Sequence, residues 1–340
     1  MGLAVLKLIL AGLVLPSIVA AGTRIELAWP TPNTAYLAGK PLEDFVQPTV
    51  SGEVTSGLFG CVRSGGTQFH EGVDLKPISH DRKGEAADDV FATMAGVVRH
   101  VSLRSGESSY GRYVVIEHPE LKPAVYTLYA HLADVKAGLK AGDIVARGEV
   151  IARMGRSAGG YAIPKDRAHL HYEIGLMMTR QFQSWYDWKK FGSPNQHGLY
   201  NGMNLMGVDA LDFLNQFRAR RVDNFQEYFA RMNAVATVRV ATRRTPDFVQ
   251  RYPDLVTAEI PLAGAAGWEI KVNATGVPFS WTPLSASEVM GYRLNEVRVV
   301  EVNADALKAC RCKALVVTRK GTHVPGRDLE TMLQLTVGLR

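Results

Sequence analysis

The sequence predicts a mainly β protein, α+β overall: an antiparallel β-sheet domain, a short helical connector and a second small β-rich domain. Three observations point there. Short runs rich in Val, Ile and Tyr, divided by Gly-bearing turns, fill residues 51–180. Apolar residues then recur at helical spacing after Asp209, at Leu211, Leu214 and Phe217. Strand-like runs return from about Ala234 to the end. The length of 340 residues suits about two domains, and 46% hydrophobic with 21% charged residues is enough to build a sizeable core.

Taken in order, residues 1–21 read as a secretory signal. Lys7 gives a weak positive start, Leu8 to Ala20 is apolar, and the small residues Ala20, Ala21 and Gly22 follow. The run is short for a membrane span, which needs about 20 residues. The expected product is periplasmic or secreted, with no stable membrane insertion after signal removal. Residues 22–50, with Trp29, Pro30, Pro32 and Pro48, read as an extended lead segment. In 51–180 the expected strands are Gly96–Leu103, Arg112–His118, Val125–His131, Ile144–Met154 and His169–Ile174. The connector, 181–233, opens with Trp185, Tyr186 and Trp188, runs through a turn-rich stretch at Gly192–Gly207, and holds a helix capped by Asp209 and a second at Asn224–Met232. In 234–340 the expected strands are Thr237–Ala241, Trp268–Val272, Glu296–Val302, Ala314–Thr318 and Met332–Val337.

The formal charge of +6 is mild and has no block of like charge. It suits loose attraction to an anionic surface. Without a basic cluster interleaved with aromatics, a nucleic-acid partner is not expected. Of the three Cys, Cys310 and Cys312 are too close in sequence to bridge without strain and Cys61 is far away. No disulfide framework is expected.

The chemistry lies in three short patterns among nine His. They are His70-Glu-Gly-Val-Asp74, Tyr129-Ala-His131-Leu132 and His169-Leu-His171-Tyr-Glu173. His and Asp are ordinary zinc ligands, and a catalytic zinc keeps three protein ligands and one open position. Gly72 and the following Val-Asp-Leu-Lys-Pro favour a strand edge or loop for the first pattern. His169 and His171, two apart on a strand, project to one side. One can bind a metal while the other stands beside it. Each pattern alone is weak, and a lone His is more often packed or solvated than a ligand. Their concurrence in one β domain is much more informative.

Here the chain resembles the lysostaphin/LytM-type zinc metallopeptidases of the cell wall, over roughly Pro48 to Gly175. Besides Tyr129-Ala-His-Leu132 and Ala168-His-Leu-His-Tyr-Glu-Ile174, the resemblance takes in Ser51-Gly-Glu-Val-Thr-Ser-Gly-Leu-Phe-Gly60, Gly142-Asp-Ile-Val-Ala-Arg-Gly148 and Met154-Gly-Arg-Ser-Ala-Gly159. It implies one zinc per chain held by His70, Asp74 and His171. It makes His131 and His169 the catalytic pair, and peptidoglycan stem peptides the substrate. Glu173 takes a structural or supporting role behind the ligands. Two stretches depart from the family pattern: Cys61–Phe69 lengthens the approach to His70, and Gly160–Arg167 lengthens the loop before His169. Both are expected to wall the substrate groove. The family divides into glycyl-glycine cutters and cutters of D-amino-acid cross-links, and the exported style of this chain leans to the second.

His80, His100, His118 and His323 read as solvated or packed, and His197 as part of a polar turn. Two other functions compete. One is a catalytically silent relative that activates other wall hydrolases; retention of all five site residues argues against it. The other is a wall-binding protein working through the C-terminal domain. That domain shows no site constellation, and wall polymer, a protein partner and a regulatory role over the groove all stay open for it.

Overall fold

The computed structural model describes residues 23–257, 264–308 and 310–340. The expected signal, 1–21, lies outside the described residues. Among those described, no helix is long and apolar enough to cross a membrane.

The first part of the chain carries β1 (Gly60–Arg63), β2 (Gln68–His70), β3 (Val73–Leu75), β4 (Asp89–Phe91), β5 (Gly96–Ser102), β6 (Tyr113–Glu117), β7 (Tyr126–Ala130), β8 (Leu132–Val135), β9 (Ile144–Val145), β10 (Val150–Met154) and β11 (Leu170–Met177). Helix α1 (Phe182–Lys189) and strand β12 (Leu205–Val208) follow. The main sheet runs β12-β11-β7-β6-β5-β9, with β3 also paired to β11, and every one of these pairs is antiparallel. A three-stranded sheet, β4-β10-β8, packs through Val90, Ile151 and Met154 into the same core as one face of the main sheet. Alternation along the strands sorts the side chains. Val114, Ile116, Tyr129, Leu170, Tyr172 and Ile174 enter that core, so His171 and Glu173 face the other way. Tyr113, Val115, Tyr126, Leu128 and Ala130 form a smaller apolar patch on that second face.

The lead segment is bound along this domain. Trp29 stacks on Tyr36 with Phe45 edge-on. Val46 bridges to Leu75, and Gln47 N donates to Asp74 O at 2.8 Å.

Beyond β12 come α2 (Ala210–Arg218), capped by the Asp209 carboxylate on Asp212 N, and α3 (Phe225–Ala230), capped by Asn224 on Glu227 N. Next are β13 (Ala236–Ala241), α4 (Asp247–Arg251), β14 (Gly267–Val272), β15 (Pro278–Leu284), β16 (Val297–Val302), α5 (Ala304–Lys308), β17 (Val316–Arg319), β18 (Thr322–Pro325) and α6 (Arg327–Thr336). Strands β15-β14-β13-β16 make an antiparallel sheet, and β17-β18 a hairpin.

Four expectations are corrected. The window Met332–Val337 is not a strand: Leu329, Met332, Leu333 and Leu335 bury one face of α6, with Asp328 and Glu330 in its first turn. Leu205–Val208, expected among turns, extends the main sheet beside β11. Ile144–Met154 is two strands rather than one, turned at Gly148 with φ +78°. Cys61 and Cys312 form a disulfide, leaving Cys310 free and buried. The segment before β17 folds back onto β1 and brings the two Cα atoms to 5.6 Å, across a sequence separation of 251.

Candidate metal centre

Strand register assembles the site. Asp74 on β3 and Ala130 on β7 both pair with His171 on β11, from opposite sides. His131 follows Ala130 directly, and His169 stands just before β11, bridged to Gly155. His70 closes β2. The turn between His70 and Asp74 needs glycine: a Cβ on Gly72 would meet Tyr172 O at 2.4 Å. His131 itself holds φ at +61°, a left-handed backbone uncommon outside glycine and one that marks functional sites. All five side chains are buried.

The candidate ligand atoms form a small triangle. His70 Nε2 lies 3.0 Å from His171 Nδ1 and 3.1 Å from Asp74 Oδ1, and His171 Nδ1 lies 3.1 Å from the same oxygen. The outer ring nitrogens fix the tautomers. His70 Nδ1 donates to Leu58 O at 2.7 Å, and His171 Nε2 donates to Glu173 Oε1 at 2.9 Å. In these tautomers His70 Nε2 and His171 Nδ1 are the inner nitrogens, which carry lone pairs once the rings are deprotonated, and both face the Asp74 carboxylate oxygen. A cation suits that donor set, and the three atoms lie within 4.8 Å of one another. Two imidazoles and a carboxylate match the ligand types of catalytic zinc.

Glu173 is itself fixed. Its oxygens accept from Tyr110 Oη at 2.6 Å and Tyr126 Oη at 2.8 Å. It points at His171 from behind and is not among the converging atoms.

His131 and His169 stand beside the triangle, ring centroids 4.7 Å apart, with His169 Nε2 at 3.5 Å from Asp74 Oδ1. Their Nδ1 atoms donate to Ser157 O at 2.8 Å and Arg167 O at 2.7 Å, which leaves both Nε2 atoms as acceptors. Burial, then the nearby charges of His169 and His171, hold His131 well below the usual imidazole pKa. Burial also lowers His169, against the pull of Asp74. Burial would lower His171 too, but its bonds to Asp74 and Glu173 prevail and raise it to about 9. Burial would raise Asp74, yet His169, His70 and His171 bring it well below the usual carboxylate range.

A groove of about 1050 Å³ opens over His131 and His171. Its walls include Cys61, Arg63 and Phe69 from the β1–β2 hairpin and Tyr161 from the loop before His169. These are the two lengthened stretches seen in the sequence.

Residues 68–182 match the model of peptidase family M23. Over this segment the chain is similar to the M23 peptidases. Among solved structures, the M23 segment and its surroundings are similar to a zinc-containing peptidase from Vibrio cholerae (24% identity, 44% of this chain and 33% of that one, TM-score 0.24). They are similar too to a putative glycyl-glycine endopeptidase LytM from Ruminococcus gnavus (29% identity, 34% and 42%, TM-score 0.26). A third is the catalytic domain of lysostaphin from Staphylococcus simulans (19% identity, 51% and 95%, TM-score 0.29). The chain thus spans 33% and 42% of the first two relatives' lengths. No curated protein matches it.

The five motif residues all fall within this matched segment and converge in space. Sequence reasoning missed Arg63, Tyr110 and Ser157, which contact them, and Tyr126, which holds Glu173. Ser157 lies in the Met154–Gly159 turn motif, which did not tie it to His131; Tyr110 and Tyr126 belong to no motif, and only the unusual length of the Cys61–Phe69 approach hinted at Arg63. Of the other His, His118 is buried between Ala95 O and Thr127 Oγ1. His197 lies in the expected polar turn, its backbone N–H donating to Asn195 Oδ1 at 3.2 Å, and its ring is buried against His100 and Tyr113. Trp185 and Tyr186 pack with Phe182 and Leu335, whereas Trp188 is exposed.

Proposed function

We propose that the chain is an exported zinc metalloendopeptidase that hydrolyses peptide cross-links of peptidoglycan, with D-amino-acid-containing links as its substrate class. The observation that carries this reading is the placing of two neutral imidazoles, His131 and His169, beside a three-donor cation site at the floor of an open groove. His70, Asp74 and His171 would hold one zinc. When bound, the metal supplies Lewis acidity, polarising the scissile carbonyl and acidifying water.

The remaining work belongs to the chain. Glu173 keeps His171 in the tautomer that turns Nδ1 inward. His131, which lines the groove, and His169 beside it are kept neutral by burial and keep their Nε2 lone pairs free of the backbone. One can accept a proton from attacking water at Nε2 and return it to the departing amine, and while it carries that proton its charge can stabilise the negative oxygen; the other can hold the water or a substrate N–H through its Nε2 lone pair. Rigid backbone acceptors on both Nδ1 atoms fix the ring planes, so these groups need little reorganisation during the reaction. The C-terminal sheet is proposed to engage wall polymer or a protein partner.

Digestion of purified peptidoglycan, with mass spectrometry of the released stem peptides, tests the reading. D-centred cross-links should open with zinc and stay closed after chelation. Cleavage of glycyl bonds alone would overturn the substrate class, and zinc binding without any cleavage would favour the silent activator.

A further inference from the structure

Asp74 uses its two oxygens differently. Oδ1 faces His70, His169 and His171. Oδ2 meets Arg63 Nη2 at 2.5 Å. Arg63 comes from the β1–β2 hairpin, its side chain is 26% exposed, and it lines the groove beside His131, His171 and Tyr161. It is the one Lys or Arg on the groove wall among the described residues.

Arg63 is not used up by its contact with Asp74. A guanidinium has five N–H groups in a planar fork. One goes to Asp74, and Nε makes a long contact of 3.5 Å to Ser56 O. The other three have no protein acceptor among the described residues. Glu53 and Glu71 also line the groove, but neither pairs with Arg63. A fixed cation with open donors thus stands one carboxylate away from the converging ligand atoms. An acceptor that takes two parallel N–H bonds fits this fork best, and in a peptide that acceptor is a carboxylate.

The position sets where the carboxylate must be. A group that reaches Arg63 while the scissile carbonyl lies at the ligand triangle must sit very near the bond cut. We infer that Arg63 is a specificity-determining residue that binds a free carboxylate on the carbon bearing the scissile nitrogen. This rests on the peptidase reading above and narrows it. Substrates of this class have a leaving residue whose α-carboxylate is free. It is either the terminal amino acid of a stem or the carboxylated carbon of a diamino acid in a cross-link. An interior glycyl bond has no carboxylate there.

The test uses the zinc-loaded full chain and two matched pairs of probes. The first pair is acetyl-L-lysyl-D-alanyl-D-alanine with a free carboxylate or as the carboxamide. The second is a cross-linked muropeptide dimer with the diamino-acid carboxylate free or amidated. Binding is measured by calorimetry on zinc-stripped protein, and hydrolysis on loaded protein. The free acid should be preferred roughly 10–100-fold in at least one pair, the range expected of a hydrogen bond between charged groups. That pair identifies the source of the carboxylate. In Arg63→Gln the preference should fall to near one, and Arg63→Lys should restore part of it. Zinc content and melting temperature are measured on the same samples, so a variant that loses its metal or its fold is recognised and the lysine variant decides. Equal handling of acid and amide by the wild type overturns the inference, as does a preference that survives Arg63→Gln. Should no probe be hydrolysed while the preference in binding persists, the peptidase reading fails and the carboxylate site stands.

Discussion

Asp74 and His171 stand directly opposite each other in paired antiparallel strands, and Asp74 Oδ1 lies 3.1 Å from His171 Nδ1. One donor comes from each strand, so the site depends on sheet register. A slip of one residue would turn either side chain to the far face. The glycine at position 72 protects that register, because a Cβ there meets Tyr172 O at 2.4 Å. Gly72→Ala is therefore expected to cost about 1–3 kcal/mol through overpacking and to weaken metal binding at the same time. Denaturant melts with zinc titration check this; an unchanged midpoint with full zinc uptake would mean the turn relaxes freely.

Glu173 holds His171 from behind while Tyr110 and Tyr126 hold Glu173. Glu173→Gln keeps the shape but removes the charge that favours the inward Nδ1. Zinc affinity should fall roughly 10–100-fold, as is typical when such a supporting partner is lost. Competition against a chromogenic chelator measures it. An unaltered affinity would show that packing alone orients the ring.

The Cys61–Cys312 disulfide ties the C-terminal hairpin region to the groove wall. Cys310 Sγ lies 2.9 Å from Cys61 Sγ and could replace Cys312 if that residue alone were changed. The informative variant is Cys310→Ser with Cys312→Ser, which should lose roughly 2–4 kcal/mol. Tryptic cleavage after Arg311 separates the two C-terminal cysteines, so a Cys61 peptide linked to the Cys312 fragment verifies the pairing. A link to the Cys310 fragment would contradict it.

His118 supplies a pH dependence away from the site. Burial holds its pKa down to about 4, against the opposing hydrogen bond to Ala95 O and the charge of Glu117. The ordinary value is about 6.5. Above that value the ring is neutral in both folded and unfolded chains, and its contribution to stability is complete. Between about 6.5 and 4 only the unfolded chain takes up the proton, so stability falls as pH falls. Below about 4 both states are protonated and this group causes no further loss. His100, lowered to about 4 by burial and then by the charge of His197, adds to the same window. The combined loss should be on the order of 3 kcal/mol or more. Chemical denaturation at a series of pH values tests it, and His118→Gln should flatten the slope.

The parts of this architecture that the sequence made legible are those with local signatures. Val- and Ile-rich runs between glycines marked β5, β6, β7 and β11, Asp209 marked the cap of α2, and the Asn224–Met232 stretch marked α3. The motifs brought His70, Asp74, His131, His169 and His171 forward because paired spacing on strands is a local property. Non-local facts stayed hidden. Strand β15 contains Pro278 and Pro283, which argue against a strand, but it lies at a sheet edge where proline is tolerated. The six residues Met332–Val337 alternate over too short a window to reveal the helical period of α6. The link from Cys61 to Cys312 and the reach of Arg63 to Asp74 depend on how distant segments fold together.

Zinc content measured together with peptidoglycan cleavage, on the mature wild-type chain and on His171→Ala, tests the central claim most directly. The wild-type chain should hold about one zinc and release cross-linked stem peptides, and the variant should lose both. A wild-type chain that releases peptides without zinc, or a variant that keeps its full activity, would contradict it.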